Sequence, residues 1–392
     1  MRTKLLIAAN ALLTAEWEPR GRMVPNRSGT MRAVAIAALA LPLLLSLPAA
    51  AGSTPAPRAI HIRGGVQTIA MDGSRLAYVG SLVGVHGAGC DSIFVLDLAN
   101  GRSKRISRCL PIGSITLAVA GRRVAWLDSF CSNEECDYDL WVASLPHPKP
   151  RLLESAMQQG DVGQGVLTGP WIGNLVGSGN LLAVNRGTTD ANGDVATSEL
   201  DVIGPKRLHR IVSGPKANYA MAADSGRIAV LRENDTVGVY GASGKLLLEV
   251  KPSSVLQGEN FDGNVVALQG GRLLILTATR RLEVYDSRSG ALVHSWPVRK
   301  GATNLAARAG VGVYAECPAY PVANCAAFKV HVVRLATGKG AVIGKGKTFL
   351  PTRNVVIQRP GLVYVNAPVP RLRQGPRTLI FIPLKRVLAA VS

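Results

Sequence analysis

The sequence is poor in the side chains that catalytic and metal centres draw on. Of its 392 residues only 18% are charged and 5% aromatic, with six histidines and six cysteines. His61, His86, His147, His209, His294 and His331 are scattered, and no Cys-x-x-Cys occurs, so the usual zinc spacings are missing. No Gly-x-Ser-x-Gly elbow or sialidase-type Ser-x-Asp-x-Gly-x-x-Trp box is present. The glycine-rich stretch 338–347 lacks the Gly-Lys-Ser/Thr ending of a phosphate loop. Ser213-Gly-Pro-Lys216 fits Ser-x-x-Lys, but the partner motifs of that chemistry are absent. Acidic residues are scarce as well: 25 against 45 basic ones give a net charge of +20. Low charge with 47% hydrophobic residues excludes a disordered chain. Forty-two glycines and few aromatics argue against a helical bundle.

One long apolar run is present. Residues 31–51 read MRAVAIAALALPLLLSLPAAA, with Arg32 ahead of an uncharged stretch and Ala49 and Ala51 in the small-x-small pattern of a cleavage site. This predicts a secretory signal cut after Ala51, the rival reading being an uncleaved membrane anchor. Glu16, Trp17 and Glu18 are foreign to a signal, so translation is expected to start at Met31 or Met23. Residues 1–51 are thus read as leader and signal, and 52–392 as one domain. The leader holds six basic and two acidic residues, which leaves 39 against 23 and a charge of +16 on the exported chain.

An even number of cysteines suits a secreted or otherwise extracytoplasmic protein of the cell envelope. Their spacing favours three local disulfides: Cys131 with Cys136, Cys317 with Cys325, and Cys90 with Cys109 across a hairpin centred near Asn100–Gly101.

The exported part is a repeat. A turn followed by an apolar run recurs as GSRLAYV (from Gly73), GRRVAWL (Gly121), GNLLAV (Gly179), GRIAVL (Gly226), GRLLIL (Gly271), GVGVYA (Gly310) and GLVYV (Gly361), about every 48 residues. Each run is preceded by a short apolar strand and followed by a hairpin such as IFVLDLANGRSKRI or VHVVRLATGKGAVI. Four short strands per unit make one propeller blade, and seven units predict an all-β, seven-bladed β-propeller of four-stranded blades. Ala59–Arg63 reads as a spare strand able to close the ring, in competition with Arg386–Val391. The pattern resembles the broad superfamily of bacterial exported propellers, the WD-repeat-like, TolB-like and quinoprotein-like group. The Trp-Asp dipeptide of true WD repeats is missing from the strand ends. Asp286, Gly290 and Trp296 approach the quinoprotein blade motif, but Trp296 lies two residues too far.

Connections between the second and third strands read as long loops at 83–91, 130–138, 186–198, 316–325 and 366–377, and the link 157–170 joins them on the same face. Loops held on a rigid scaffold commonly carry function, so this face is the expected interface. Its candidate ligand-binding residues are Arg371, Arg373 and Arg377 in a basic loop, Trp171 beside the long link, and His86. Asp190, Asn192 and Asp194 resemble the start of a calcium loop, although Val195 stands where glycine is expected and Asp201 where glutamate is. No cofactor other than calcium is suggested. The expected role is a non-catalytic binding or scaffolding module whose partner is a protein or an anionic cell-envelope polymer. Nucleic acid is disfavoured, and contact with membrane is expected only through an uncleaved anchor. The alternative is a quinoprotein-like or lyase-like enzyme with its site at the channel mouth.

Overall fold

The computed structural model describes residues 55–62, 65–83, 89–110, 114–132, 134–161, 166–214, 218–232, 235–254, 264–317, 327–347, 354–366 and 378–392. The expected leader, signal peptide and start codon lie outside the described residues, as do His86, Cys325, Arg371, Arg373 and Arg377.

The chain opens with β1 (Arg58–His61). The first sheet follows as β2 (Gly65–Asp72), β3 (Arg75–Val83), β4 (Gly89–Asp97) and β5 (Ser103–Arg105). Next come β6 (Ser114–Ala120), β7 (Arg123–Cys131), β8 (Glu135–Ser144), β9 (Arg151–Asp161), β10 (Val166–Ser178), β11 (Leu181–Thr189), β12 (Val195–Ile203) and β13 (Leu208–Gly214). A four-stranded sheet holds β14 (Asn218–Asp224), β15 (Arg227–Arg232), β16 (Val237–Gly241) and β17 (Leu246–Val250). Another holds β18 (Val266–Gln269), β19 (Arg272–Leu276), β20 (Arg281–Asp286) and β21 (Leu292–Pro297). A third holds β22 (Ala302–Arg308), β23 (Val311–Glu316), β24 (Phe328–Arg334) and β25 (Gly340–Gly346). The last sheet has β26 (Val355–Gln358), β27 (Gly361–Asn366) and β28 (Thr378–Pro383), with β1 added at its outer edge; a short helix, α1 (Leu384–Ala389), ends the chain.

The arrangement is a β-propeller of antiparallel meanders. The innermost strands β2, β6, β10, β14, β18, β22 and β26 touch in that order, and β26 returns to β2. The second strands read as unbroken apolar runs because neighbouring sheets cover both their faces. Leu76, Ala77, Tyr78 and Val79 of β3 are all buried, and so are Leu273, Leu274, Ile275 and Leu276 of β19. The core is therefore a circle of clusters lying between sheets. One joins Ala77, Val79 and Ile93 to Leu117, Val124 and Trp126, and another joins Val363 and Phe381 of the last sheet to Ile69 and Leu76 of the first.

The expectation of seven separate four-stranded blades is corrected. Five sheets have four strands, and the strands expected to form the second and third blades make one continuous eight-stranded sheet, β6 to β13. The join is an antiparallel pairing of β9 with β10, in which Asp161 faces Val166, Gly160 faces Leu167 and Gln159 faces Thr168. The ring thus has five four-stranded blades and one double-width sheet. The glycines and glutamines of MQQGDVGQGVLTGP suggest loop, yet its described parts, 157–161 and 166–170, are strand. Gly160, at φ 142°, permits it: a Cβ there would lie 2.1 Å from the Val166 carbonyl oxygen.

The loop at 130–138 shrinks in the same way, since β7 and β8 pair outward as far as Cys131 opposite Cys136. That at 186–198 shrinks because β11 and β12 pair as far as Thr189 opposite Val195. The Cys90–Cys109 and Cys131–Cys136 disulfides form as expected, and Cys317 is also disulfide-bonded. The closing strand is β1, paired with β28 from Arg58 opposite Phe381 to His61 opposite Thr378. The rival segment forms α1 and its end, burying Val387 and Val391.

Gly160→Val is expected to cost about 1–3 kcal/mol in urea unfolding. Amide exchange should speed up at 157–161 and 166–168 and stay unchanged in the other sheets. Unchanged exchange at the join would show that the pairing does not depend on this glycine.

Candidate functional site

Two regions could serve a ligand: the central channel and the projecting ends of the double-width sheet. The channel encloses about 170 Å³ between Ile69, Leu117, Leu175, Met221, Leu305 and Ile357, among others. That is below the usual size of a small-molecule site. Its charged groups are engaged with one another, as Arg308 Nη1 lies 3.2 Å from Asp224 Oδ1. Asp224 Oδ2 also accepts the backbone N–H of Gly270 at 2.9 Å. On the same face Asp72 Oδ2 accepts from the N–H groups of Gly121 (2.7 Å) and Gly179 (3.1 Å), while Gln358 Nε2 donates to the Met71 carbonyl. These side chains act as clamps between sheets.

The opposite face carries an arm. There β7, β8, β9, β10, β11 and β12 run outward beyond the ring, so that strand replaces the expected loops. Polar contacts stiffen one side of it. Tyr138 donates to Gln158 Oε1 (2.7 Å), Gln158 Nε2 donates to Thr189 Oγ1 (2.9 Å), and Thr189 donates to the Leu167 carbonyl (2.7 Å). Below them Arg186 gathers Glu154, Glu199 and the fully buried Asp201. At the tip Ser132 Oγ accepts the N–H groups of Glu134 and Glu135, and the Cys131–Cys136 disulfide pins the turn.

The other side of the arm is open and partly apolar. Phe130 faces Asp137, and Asp137 faces Met157, so the three share one side of the sheet. The period-two alternation of β9 puts Gln159 on that side as well; Thr168 pairs with it, and Val166, two residues before Thr168 on β10, shares the side. Phe130, Met157 and Val166 are 49%, 42% and 38% exposed. These positions fall in segments expected to be loops; the signal present is the alternation CDYDL at Cys136–Leu140, which marks β8 and so implies paired strands on either side of it.

The candidates from the sequence fare differently. Trp171 is partly buried: Gly187 and Gly173 leave room for its ring, which a Cβ at either position would strike at 2.7 and 3.1 Å. Its indole N–H is buried without a partner, so the ring packs against the sheet rather than standing as an open platform. Asp190, Asn192 and Asp194 form the tight turn between β11 and β12. Asp190 Oδ1 accepts the N–H groups of Asn192 (2.8 Å) and Asp194 (3.1 Å), so one oxygen of the first expected ligand caps its own turn. Among the described residues no three His, Cys, Asp or Glu side chains cluster as a metal site.

Asp128, on β7 opposite Asp139, is perturbed. Burial pushes its carboxyl up to about 6, Asp139 and Asp91 add to the rise, and Arg108 partly opposes it. Its Oδ1 is buried without a partner. The folded value lies above the ordinary carboxylate value near 3.9, so the native state holds more protons between roughly pH 4 and 6, and this group lowers stability as pH rises through that window. Asp128→Asn should raise the melting temperature at pH 8, with the gain gone at pH 4. Thermal unfolding at the two pH values checks this.

No family model matches the chain, and no curated protein matches it. Solved structures do. The β-propeller domain of the Trilobed protease from Pyrococcus furiosus aligns with a TM-score of 0.52 at 11% identity, over 82% of this chain and 94% of that one. Saccharomyces cerevisiae Sqt1 aligns with a TM-score of 0.47 at 10% identity, over 83% and 98%. At 11% identity the likeness to the Pyrococcus furiosus domain shows the β-propeller fold alone.

Proposed function

We propose that this chain is an exported binding or scaffolding propeller that engages a protein partner through the arm. The observation that carries the reading is the side of the arm bearing Phe130, Met157 and Val166 in water on a stiffened, disulfide-pinned support. Large exposed apolar side chains grouped within a polar surround are typical of interaction sites. A rigid support lowers the ordering cost of association. Export is supported by the disulfides, which persist in oxidising compartments. Among the described residues no helix is long and apolar enough to cross a membrane. The channel favours the enzyme alternative less, because its walls are mostly Ala, Val and Leu and its Asp224 and Arg308 neutralise each other.

A photo-crosslinking amino acid at position 130 should capture a discrete protein partner in growing cells, and Met157→Asp should reduce that product about tenfold, since a charge would be buried on docking. Asn100, on the tight-turn face, serves as the control position. Equal capture from positions 100 and 130, or none from 130, would overturn the reading.

A further inference from the structure

A second surface lies on the flank of the ring, apart from the arm. A groove of about 740 Å³ runs between the outer edge of the first sheet and the β8–β9 turn. One wall carries Lys104, Arg105 and Arg108; the other carries His147 and Lys149 between Pro148 and Pro150, with Trp126 and Trp141 behind. Among the described residues none of the four Lys and Arg side chains forms a salt bridge. Arg105 Nε donates to the Ser107 carbonyl and Lys104 Nζ to the Pro146 carbonyl, which leaves their charges uncompensated. Arg108 lies over the Trp141 ring at 5.6 Å, and the two indoles stack at 6.3 Å with planes 8° apart.

The basic wall is held in place. Ile106 N–H donates to the Ile93 carbonyl, and Leu110 and Asp91 exchange backbone hydrogen bonds. Ser107 Oγ accepts from the Ile93 N–H and donates to the Arg108 carbonyl, while Cys109 is tied to Cys90. Arg108 is therefore anchored through both its neighbours.

We propose that this groove binds an acidic polysaccharide, a chain of sugars carrying carboxylates. The charges demand an anion. The cations come from two separate segments, Lys104 to Arg108 and Lys149, along one groove, so an extended ligand with repeated charges fits better than one small ion. Flat apolar pads lie beside the cations at Pro148 and Pro150, matching a sugar ring with a C–H-rich face and one carboxylate per unit. An acidic peptide offers the charge but nothing regular for the pads. The Cys90–Cys109 disulfide beside the groove suits an oxidising compartment.

The test titrates the full exported chain with a galacturonate oligomer, its methyl-esterified form, poly-glutamate and oligo-dT. The galacturonate oligomer should bind, with affinity falling as salt is added, and the other three should bind at least about tenfold more weakly. The R105Q/R108Q/K149Q variant should lose about tenfold or more in galacturonate affinity, while Met157→Asp leaves it unchanged, so failure here is distinguishable from failure of the arm. Should the triple variant unfold, R105Q and K149Q are measured singly and each should weaken binding about threefold or more. No binding by the wild-type chain, unchanged affinity in the folded variants, or equal binding of poly-glutamate or oligo-dT would overturn the proposal.

Discussion

The pairing of β1 with β28 is the contact on which the ring depends. Each twisted sheet here is apolar on both sides, so every sheet needs two neighbours. The circle of inter-sheet clusters is complete only where the last sheet meets the first, and β1, the first described strand, joins the last sheet there. Arg58 makes the joint explicit. It lies over the Phe381 ring of the last sheet at 4.8 Å and donates to the Leu98 carbonyl of the first at 2.7 Å. A residue from the start of the domain thus spans the seam.

Closure explains why the two faces differ. On the tight-turn face Asp72, Asp224, Arg308 and Gln358 are spent on neighbouring sheets, and their geometry is fixed by the ring. The other face is free to grow, and it grows by strand extension. An extended hairpin satisfies its own N–H and C=O groups, whereas a long loop must find partners for them. Gln158 shows the consequence: a buried amide ties strands on both sides of the β9–β10 join, from Tyr138 to Thr189.

The four-strand unit was legible in the sequence because burial on both faces produces unbroken apolar runs such as RLLIL. The two local disulfides were legible from spacing alone, and so was the closing strand as one of two options. The join at β9–β10 was not. It rests on Gly160 and a three-pair backbone contact, and neither leaves a hydrophobic period to detect. Trp126 and Trp141 stand on neighbouring strands, yet Trp126 is core at 1% exposure while Trp141 lines the groove, with Arg108 over its ring from the adjacent sheet. A contact between sheets is set by the ring, and no local pattern encodes it.

The excess positive charge can now be placed in part. Among the described residues few cations form salt bridges, so a basic residue is informative only where the backbone fixes it. Lys104, Arg105 and Arg108 meet that condition: they stand on a segment bonded to Ile93 and Asp91 and cross-linked at Cys109, facing Lys149 across a gap. Among the described residues they form no salt bridge, and an anion lying along the groove would supply the missing partner. A ring that closes through backbone pairing and apolar packing can carry these charges on its flank, because none of these cations takes part in holding adjacent sheets together through an ion pair.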